Sequence, residues 1–267
     1  MARSIPASKY DEQYFEERYG NVSETEHIYQ ESASLIKLAE NDKVIDLGCG
    51  TGQMSILLNL KYSCDVLGID YSPEAIRLCR ENLQKAVEEK KGIEAAKVRF
   101  LCCDNDKLSD FQGIRAVFLV DVVEHLYDEE IDLVLAHIKK WNNDKIYVVI
   151  HTDNNHYLRF LRPIGDFFSI YLGKASSQKI RENKKIELER HINLTTARNL
   201  KRKLSEHGFS VLKIKYPEIN EEIIKAQLSI IGKYKLLLYP AYFFGRLFYF
   251  LRPSFYLLAV YDKNSYV

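Results

Sequence analysis

No stretch of this 267-residue chain is both apolar and long enough to cross a bilayer, its cysteines never fall in a C-x-x-C pair, and its charges nearly cancel. Each absence removes a class of function. The five cysteines, Cys49, Cys64, Cys79, Cys102 and Cys103, are odd in number and confined to the first half of the chain, so reduced thiols in a cytoplasmic protein are expected. A thiolate mechanism is not expected of them. A formal charge of +1 is a poor basis for a surface that must neutralise many phosphates, so nucleic acid is not an expected partner. The N-terminal Met-Ala-Arg-Ser-Ile-Pro-Ala-Ser lacks the apolar run of a signal peptide, and export is not expected. A hydrophobic content of 46% is enough to bury a sizeable core.

The most informative segment is Lys43-Val-Ile-Asp-Leu-Gly-Cys-Gly-Thr-Gly52, a buried strand running into an acidic, glycine-rich turn and then a helix. It lacks the G-x-G-x-x-G spacing with which a dinucleotide site presents bare backbone N–H groups to a pyrophosphate. S-adenosylmethionine has no phosphate. Its handles are an amino acid end, a ribose diol and an adenine, beside a sulfonium cation that tolerates nearby acids such as Asp46. The next strand ends in Asp70, 20 residues after Gly50, where a carboxylate can accept hydrogen bonds from both ribose hydroxyls. A third strand leads to Asp104-Asn105, placed for the adenine edge. Each acid alone is equally well read as a helix cap. Together with the glycine spacing they resemble the motifs of the class I S-adenosylmethionine-dependent methyltransferases over roughly residues 40 to 215. The resemblance implies a cofactor site made of Tyr19, Asp46, Gly48, Cys49, Gly50, Gly52, Gln53, Asp70, Tyr71, Asp104, Asn105, Val120 and Asp121.

Elements alternate as a parallel α/β sheet requires: strand 44–47, helix 52–60, strand 65–70, helix 73–90, strand 97–102, strand 115–120, helix 128–140 and strand 145–150. A helix over Thr195–His207, capped by threonine and stopped by Gly208, leads to a strand at Phe209–Tyr216, and Phe255–Tyr261 is the final strand. The resembled fold is a Rossmann-like, seven-stranded, mostly parallel sheet with helices on both faces and an antiparallel last strand. Residues 1–40, with a helical pattern over Glu24–Glu40, are expected to form an N-terminal helical cap, and 41–267 the methyltransferase domain.

Two stretches, 154–190 and 218–252, do not fit that core and are expected as insertions that form a lid over the acceptor. Tyr234–Tyr256 holds ten aromatics among 23 residues, but its best apolar run, Leu236–Leu251, is 16 residues long and interrupted by Pro240 and Arg246. A bilayer span needs roughly 20. Peripheral membrane contact through 157–172 and 234–256, which would hold the protein at the inner membrane surface, is the competing expectation for these segments. The basic runs at 174–185 and 198–203 read as solvated helix faces.

After the fourth strand comes Asp121-Val-Val-Glu-His125. Were this segment helical, Asp121, Glu124 and His125 would share one face. Methyl transfer needs an aligned, deprotonated nucleophile, and His125 has a suitable reference pKa for a general base. The motif resembles the Glu-x-x-Glu-His segment of ubiquinone-biosynthesis O-methyltransferases and small-RNA 2′-O-methyltransferases, whose acids and histidines can hold a divalent cation. By that resemblance His125, Glu124 and His191 are the expected catalytic residues. Asp121, Glu124, His125 and His191 are the expected ligands of a divalent cation, magnesium or zinc. The plainer alternative makes Glu124 and His125 hydrogen-bonded helix-start residues, with His125 structural or a metal-free base. His151 and His156 have no comparable constellation in sequence. An Asn or Asp followed by Pro-Pro and an aromatic, as in enzymes that methylate base amines, is absent. The expected reaction is therefore O-methylation of a small apolar, lipid-linked or glycan acceptor. N-methylation, a non-catalytic cofactor-binding scaffold, and an NAD(P)-dependent oxidoreductase are the alternatives.

Overall fold

The computed structural model describes residues 22–89, 92–141, 144–171, 173, 176–217 and 252–266. The expected cofactor residue Tyr19 and the second insertion up to residue 251 lie outside them. The described chain runs α1 (Val22–Ser34), β1 (Lys43–Leu47), α2 (Gln53–Tyr62), β2 (Asp65–Asp70), α3 (Pro73–Glu88), β3 (Val98–Cys102), β4 (Ile114–Val120), α4 (Asp128–Lys140) and β5 (Lys145–Asp153). It continues with α5 (Arg162–Tyr171), α6 (Ser177–Arg190), α7 (Ala197–Glu206), β6 (Ser210–Lys215) and β7 (Ser254–Asp262).

Seven strands form one sheet in the order β3-β2-β1-β4-β5-β7-β6. The pairs among β1 to β5 are parallel, and β7 runs antiparallel to both β5 and β6. Strands covered on both faces need apolar residues at successive positions, and Ala116 to Val120 of β4 are all buried. Alternate residues serve opposite cores. Val117 and Leu119 join Trp141, Leu200 and Phe209 on one face, while Ala116, Phe118 and Val120 meet Tyr29, Ala33, Met54 and Leu58 on the other.

Local signals set the helix starts. Ser72 accepts a hydrogen bond from the Ala75 N–H with Pro73 at the first turn of α3, and Thr196 accepts one from the Asn199 N–H ahead of α7. The helical pattern expected to reach Glu40 ends at Ser34, where the Leu35 N–H turns back to the Ser32 carbonyl and Leu35 and Ile36 drop into the core. The stretch after β5 is helical, with a π-turn at Tyr157–Leu161 followed by α5 and α6.

Connections leave β1 toward β2 on one side and return to β4 on the other. The C-terminal ends of β1 and β4 therefore flank the crevice where an open α/β sheet binds its ligand. Both the glycine turn and the Asp121–His125 segment follow these two strand ends.

Candidate functional site

β1 ends at Leu47 and the chain turns through Gly48, Gly50 and Gly52, all with φ between 53° and 79°. Side-chain-bearing residues rarely adopt this left-handed geometry. A Cβ on Gly48 would stand 2.5 Å from Val122 Cγ2, and one on Gly52 would stand 2.9 Å from the Phe100 ring. Glycine is needed here for space as well as for conformation. The turn is tied to β2 by the N–H groups of Gly48 and Cys49, both donating to the Ile69 carbonyl at 2.7 and 3.0 Å.

Two acids brace this turn. Asp46 is buried and accepts a 2.6 Å hydrogen bond from Ser55 Oγ, and burial pushes its pKa up to about 7. Asp70 accepts from the Gly50 N–H at 3.0 Å and from the Ser72 N–H at 2.9 Å; burial raises it to about 6 against those bonds. Asp70 thus shapes the glycine turn itself, a role beyond the ribose contact expected of it. Thr51 Oγ1 is buried with no hydrogen-bond partner among the described residues. A turn kept free of side chains by its glycines, an acid at the next strand end and a buried hydroxyl with no partner among the described residues suit S-adenosylmethionine, a ligand with a diol and an amino acid end.

The remaining expected cofactor residues fall along the same rim. Gln53 opens α2, Tyr71 follows Asp70, and Asp104 with Asn105 follows β3. Asp104 is exposed and pairs with Lys107 at 2.6 Å, while the Cys103 N–H donates to the Asp70 carbonyl and holds the β2 and β3 ends together. Cys49 is buried, with its sulfur 3.7 Å from Cys79 Sγ, and burial lifts its pKa well above the usual thiol range. It is a packing residue of the cradle. Val120 closes β4 in register with His151 of β5.

The segment after β4 differs from its expected geometry. Asp121 has φ 56°, and only Val123–His125 forms a short 3-10 turn, so Asp121 does not share a helical face with Glu124 and His125. Its carboxylate turns to β5, with Oδ1 2.5 Å from His151 Nδ1. Glu124, 1% exposed, accepts a 2.7 Å hydrogen bond from Thr152 Oγ1 at Oε2, and Oε1 has no partner among the described residues. Burial and the charges of Asp121 and Asp153 raise its pKa to about 7, partly offset by His191. The His125 and His191 rings do come together, edge to face with centroids 4.8 Å apart, and His191 Nδ1 lies 3.1 Å from Asp153 Oδ2.

The expected metal site is corrected accordingly. No group of three or more His, Cys, Asp or Glu among the described residues is arranged to hold a metal ion. Asp121 is turned away onto His151, and one Glu124 oxygen is occupied by Thr152, so the four candidate ligands do not converge. A second correction concerns His151, which sequence reasoning passed over. It is 2% exposed and sits against Tyr256 with ring centroids 4.6 Å apart. The signal for it was a histidine directly after the apolar run Ile146–Ile150 of β5.

Comparison with known proteins agrees with this geometry. The profile of a family described as "Methyltransferase domain" matches residues 22–214. A sphingolipid C9-methyltransferase of Gibberella zeae is 29% identical over 91 residues, which is 34% of this chain and 17% of that protein's length. A S-adenosylmethionine-dependent methyltransferase from Aquifex aeolicus superposes with a TM-score of 0.55 at 15% identity, covering 96% of this chain and 99% of the other. Magnesium protoporphyrin IX methyltransferase from Synechocystis, solved with bound S-adenosylhomocysteine, gives 0.53 at 16% identity, covering 90% and 84%.

Proposed function

Because this chain belongs to the methyltransferase-domain family, among the class I S-adenosylmethionine-dependent enzymes, we propose that it methylates a hydroxyl group of a small apolar, lipid-linked or glycan acceptor. The donor supplies a methyl group on a sulfonium, already a good leaving group, so the protein's task is to align the acceptor and take its proton. One observation carries this reading: Glu124 is a buried acid at the crevice with an oxygen that has no partner among the described residues and a pKa held near 7. An acid with that pKa can accept a proton near neutral pH, as an ordinary surface carboxylate cannot. His125 and His191 pair edge to face beside it and shape the acceptor side. No cation takes part in this scheme.

The apolar character of the acceptor rests on the helical stretch that follows β5. Phe160, Phe167, Ile170 and Tyr171 are exposed there, with the Phe167 and Tyr171 rings stacked at 6.4 Å. Large exposed apolar groups grouped on one segment mark a binding surface. A lipid acceptor or a peripheral membrane contact would use that surface, and the similarity to a protein named as a sphingolipid methyltransferase favours the lipid. Among the described residues, no helix is long and apolar enough to cross a membrane. The test is to incubate the protein with methyl-labelled S-adenosylmethionine and fractionated lipid and polar extracts, then identify the labelled product by mass spectrometry. A methyl ether in the lipid fraction is expected. Label found only on nitrogen or carbon would overturn the hydroxyl, and label confined to polar metabolites would overturn the apolar acceptor.

A further inference from the structure

Asp121 is one of two non-glycine residues among those described with positive φ, the other being Ser63 at a helix end. A left-handed aspartate persists only where its surroundings hold it. Here a single neighbour does so twice. The Asp121 N–H donates to the His151 carbonyl at 3.1 Å, and His151 Nδ1 meets Asp121 Oδ1 at 2.5 Å. The backbone bond continues the β4–β5 ladder by one residue, and the side-chain bond fixes the direction in which the chain leaves that ladder.

His151 is itself immobilised. Its ring is buried, it faces Tyr256 of β7 in register across the antiparallel pair, and Tyr256 is buried in turn. Burial alone would drive the imidazole neutral, yet the charges of Asp121, Glu124 and Asp153 outweigh it and hold its pKa above the ordinary value. A buried pair in this setting loses a great deal if one member is removed, because the polar atom of the other is left buried without its partner.

The residue after Asp121 closes onto the glycine turn, since Val122 is the group that a Cβ on Gly48 would strike. A shift at Asp121 is therefore felt in the cradle. From this we propose that His151 is a positioning residue: it locks Asp121, and through it the Asp121–Val122 step, in the geometry that receives the amino acid end of S-adenosylmethionine. The inference rests on the methyl-donor reading above and concerns only that end of the ligand. On that reading the adenine and ribose would face Asp70 and Asp104, after β2 and β3, which stand beyond β1 from β4 and away from His151.

That separation gives a test that needs no acceptor. Affinities of the full-length protein for S-adenosylhomocysteine and for 5′-methylthioadenosine, which lacks the amino acid end, are measured by calorimetry for the wild type, His151→Leu, His151→Asn and Asp121→Ala. His151→Leu is expected to weaken S-adenosylhomocysteine by about tenfold or more while 5′-methylthioadenosine stays within about twofold, the loss typical of a charge-assisted hydrogen bond. His151→Asn keeps an N–H near the Nδ1 position and is expected to recover part of that loss, because the hydrogen bond can re-form. The double variant Asp121→Ala, His151→Leu should bind no more weakly than Asp121→Ala alone. Equal losses for both ligands, no loss, or additive losses in the double variant would overturn the positioning role. If His151→Leu does not fold, His151→Asn against Asp121→Asn decides it, because only the second removes the charge that His151 holds. Failure of the wild type to bind S-adenosylhomocysteine at all would instead overturn the methyl-donor reading, and this inference with it.

Discussion

Thr152 Oγ1 donates a 2.7 Å hydrogen bond to Glu124 Oε2, so a β5 residue holds the acid that follows β4 and leaves its other oxygen buried with no partner among the described residues. His151 and Asp153, on either side of Thr152, face Asp121 and His191. The end of β5 thus holds three of the four residues expected at the reacting end of the site, each by a different contact.

If Glu124 takes the proton, kcat/KM should rise with pH and level off above about 7, where its carboxyl is ionised. Glu124→Gln is expected to lower turnover by about a hundredfold or more while S-adenosylhomocysteine affinity is kept. His125→Ala should act on turnover in the same direction. A pH profile that is flat through 7, or a Gln variant with unchanged turnover, would remove Glu124 as the base.

Stability should also depend on pH. Asp46 and Glu124 have pKa values raised by burial to about 7, and Asp70 to about 6, so the folded protein binds more protons than the unfolded chain above the usual carboxyl range. Their contribution to stability is complete below the unfolded pKa and is lost as pH rises to the folded value. Between pH 4 and 7 the ligand-free protein should lose on the order of a few kcal/mol from each buried acid. Asp46→Asn, compared with the wild type by thermal melts across this range, should gain in relative Tm as pH rises. A constant difference would show that Asp46 is not protonated in the folded state.

Gly48→Ala places a methyl group against Val122 at a residue with φ 74°. Backbone strain and overlap together should cost roughly 2–4 kcal/mol and abolish cofactor binding. Adding Val122→Ala should recover part of the Tm, because it removes the overlap and leaves the strain. No recovery would mean that φ alone decides the position.

Asp70→Ala should weaken S-adenosylhomocysteine by more than loss of a ribose contact alone would, because it also frees the Gly50 and Ser72 N–H groups that shape the turn. About a hundredfold weaker binding is expected in calorimetry. A change under threefold would show that the turn keeps its form without this acid.

Thiol alkylation should follow exposure. Cys102 is exposed and Cys103 half-buried, whereas Cys49, Cys64 and Cys79 are buried, and burial raises Cys49 and Cys64 further from the thiolate. Peptide mapping after brief iodoacetamide treatment should find Cys102 and Cys103 modified first, with the other three protected until the protein unfolds. Early labelling of Cys49 would mean that the glycine turn opens in solution.

The glycine turn, the acids at successive strand ends, the alternation of strands and helices, and even the limits of α4 were legible in the residues, because each follows from local chemistry. Positive φ demands glycine, a helix start recruits serine or threonine, and a doubly covered strand is apolar throughout. The direction in which Asp121 points was not legible. A helical spacing places it with Glu124 and His125, and only the parallel pairing of β4 with β5 brings His151 beside it. That pairing joins residues 30 apart in sequence, and it also gives Glu124 its partner in Thr152. The sequence by itself determined the methyl-donor cradle, because that site is written in one turn and the strand ends beside it. Tertiary structure alone decided which acid is paired, which keeps an oxygen without a partner among the described residues, and that the four supposed metal ligands part company, because those properties belong to contacts between strands.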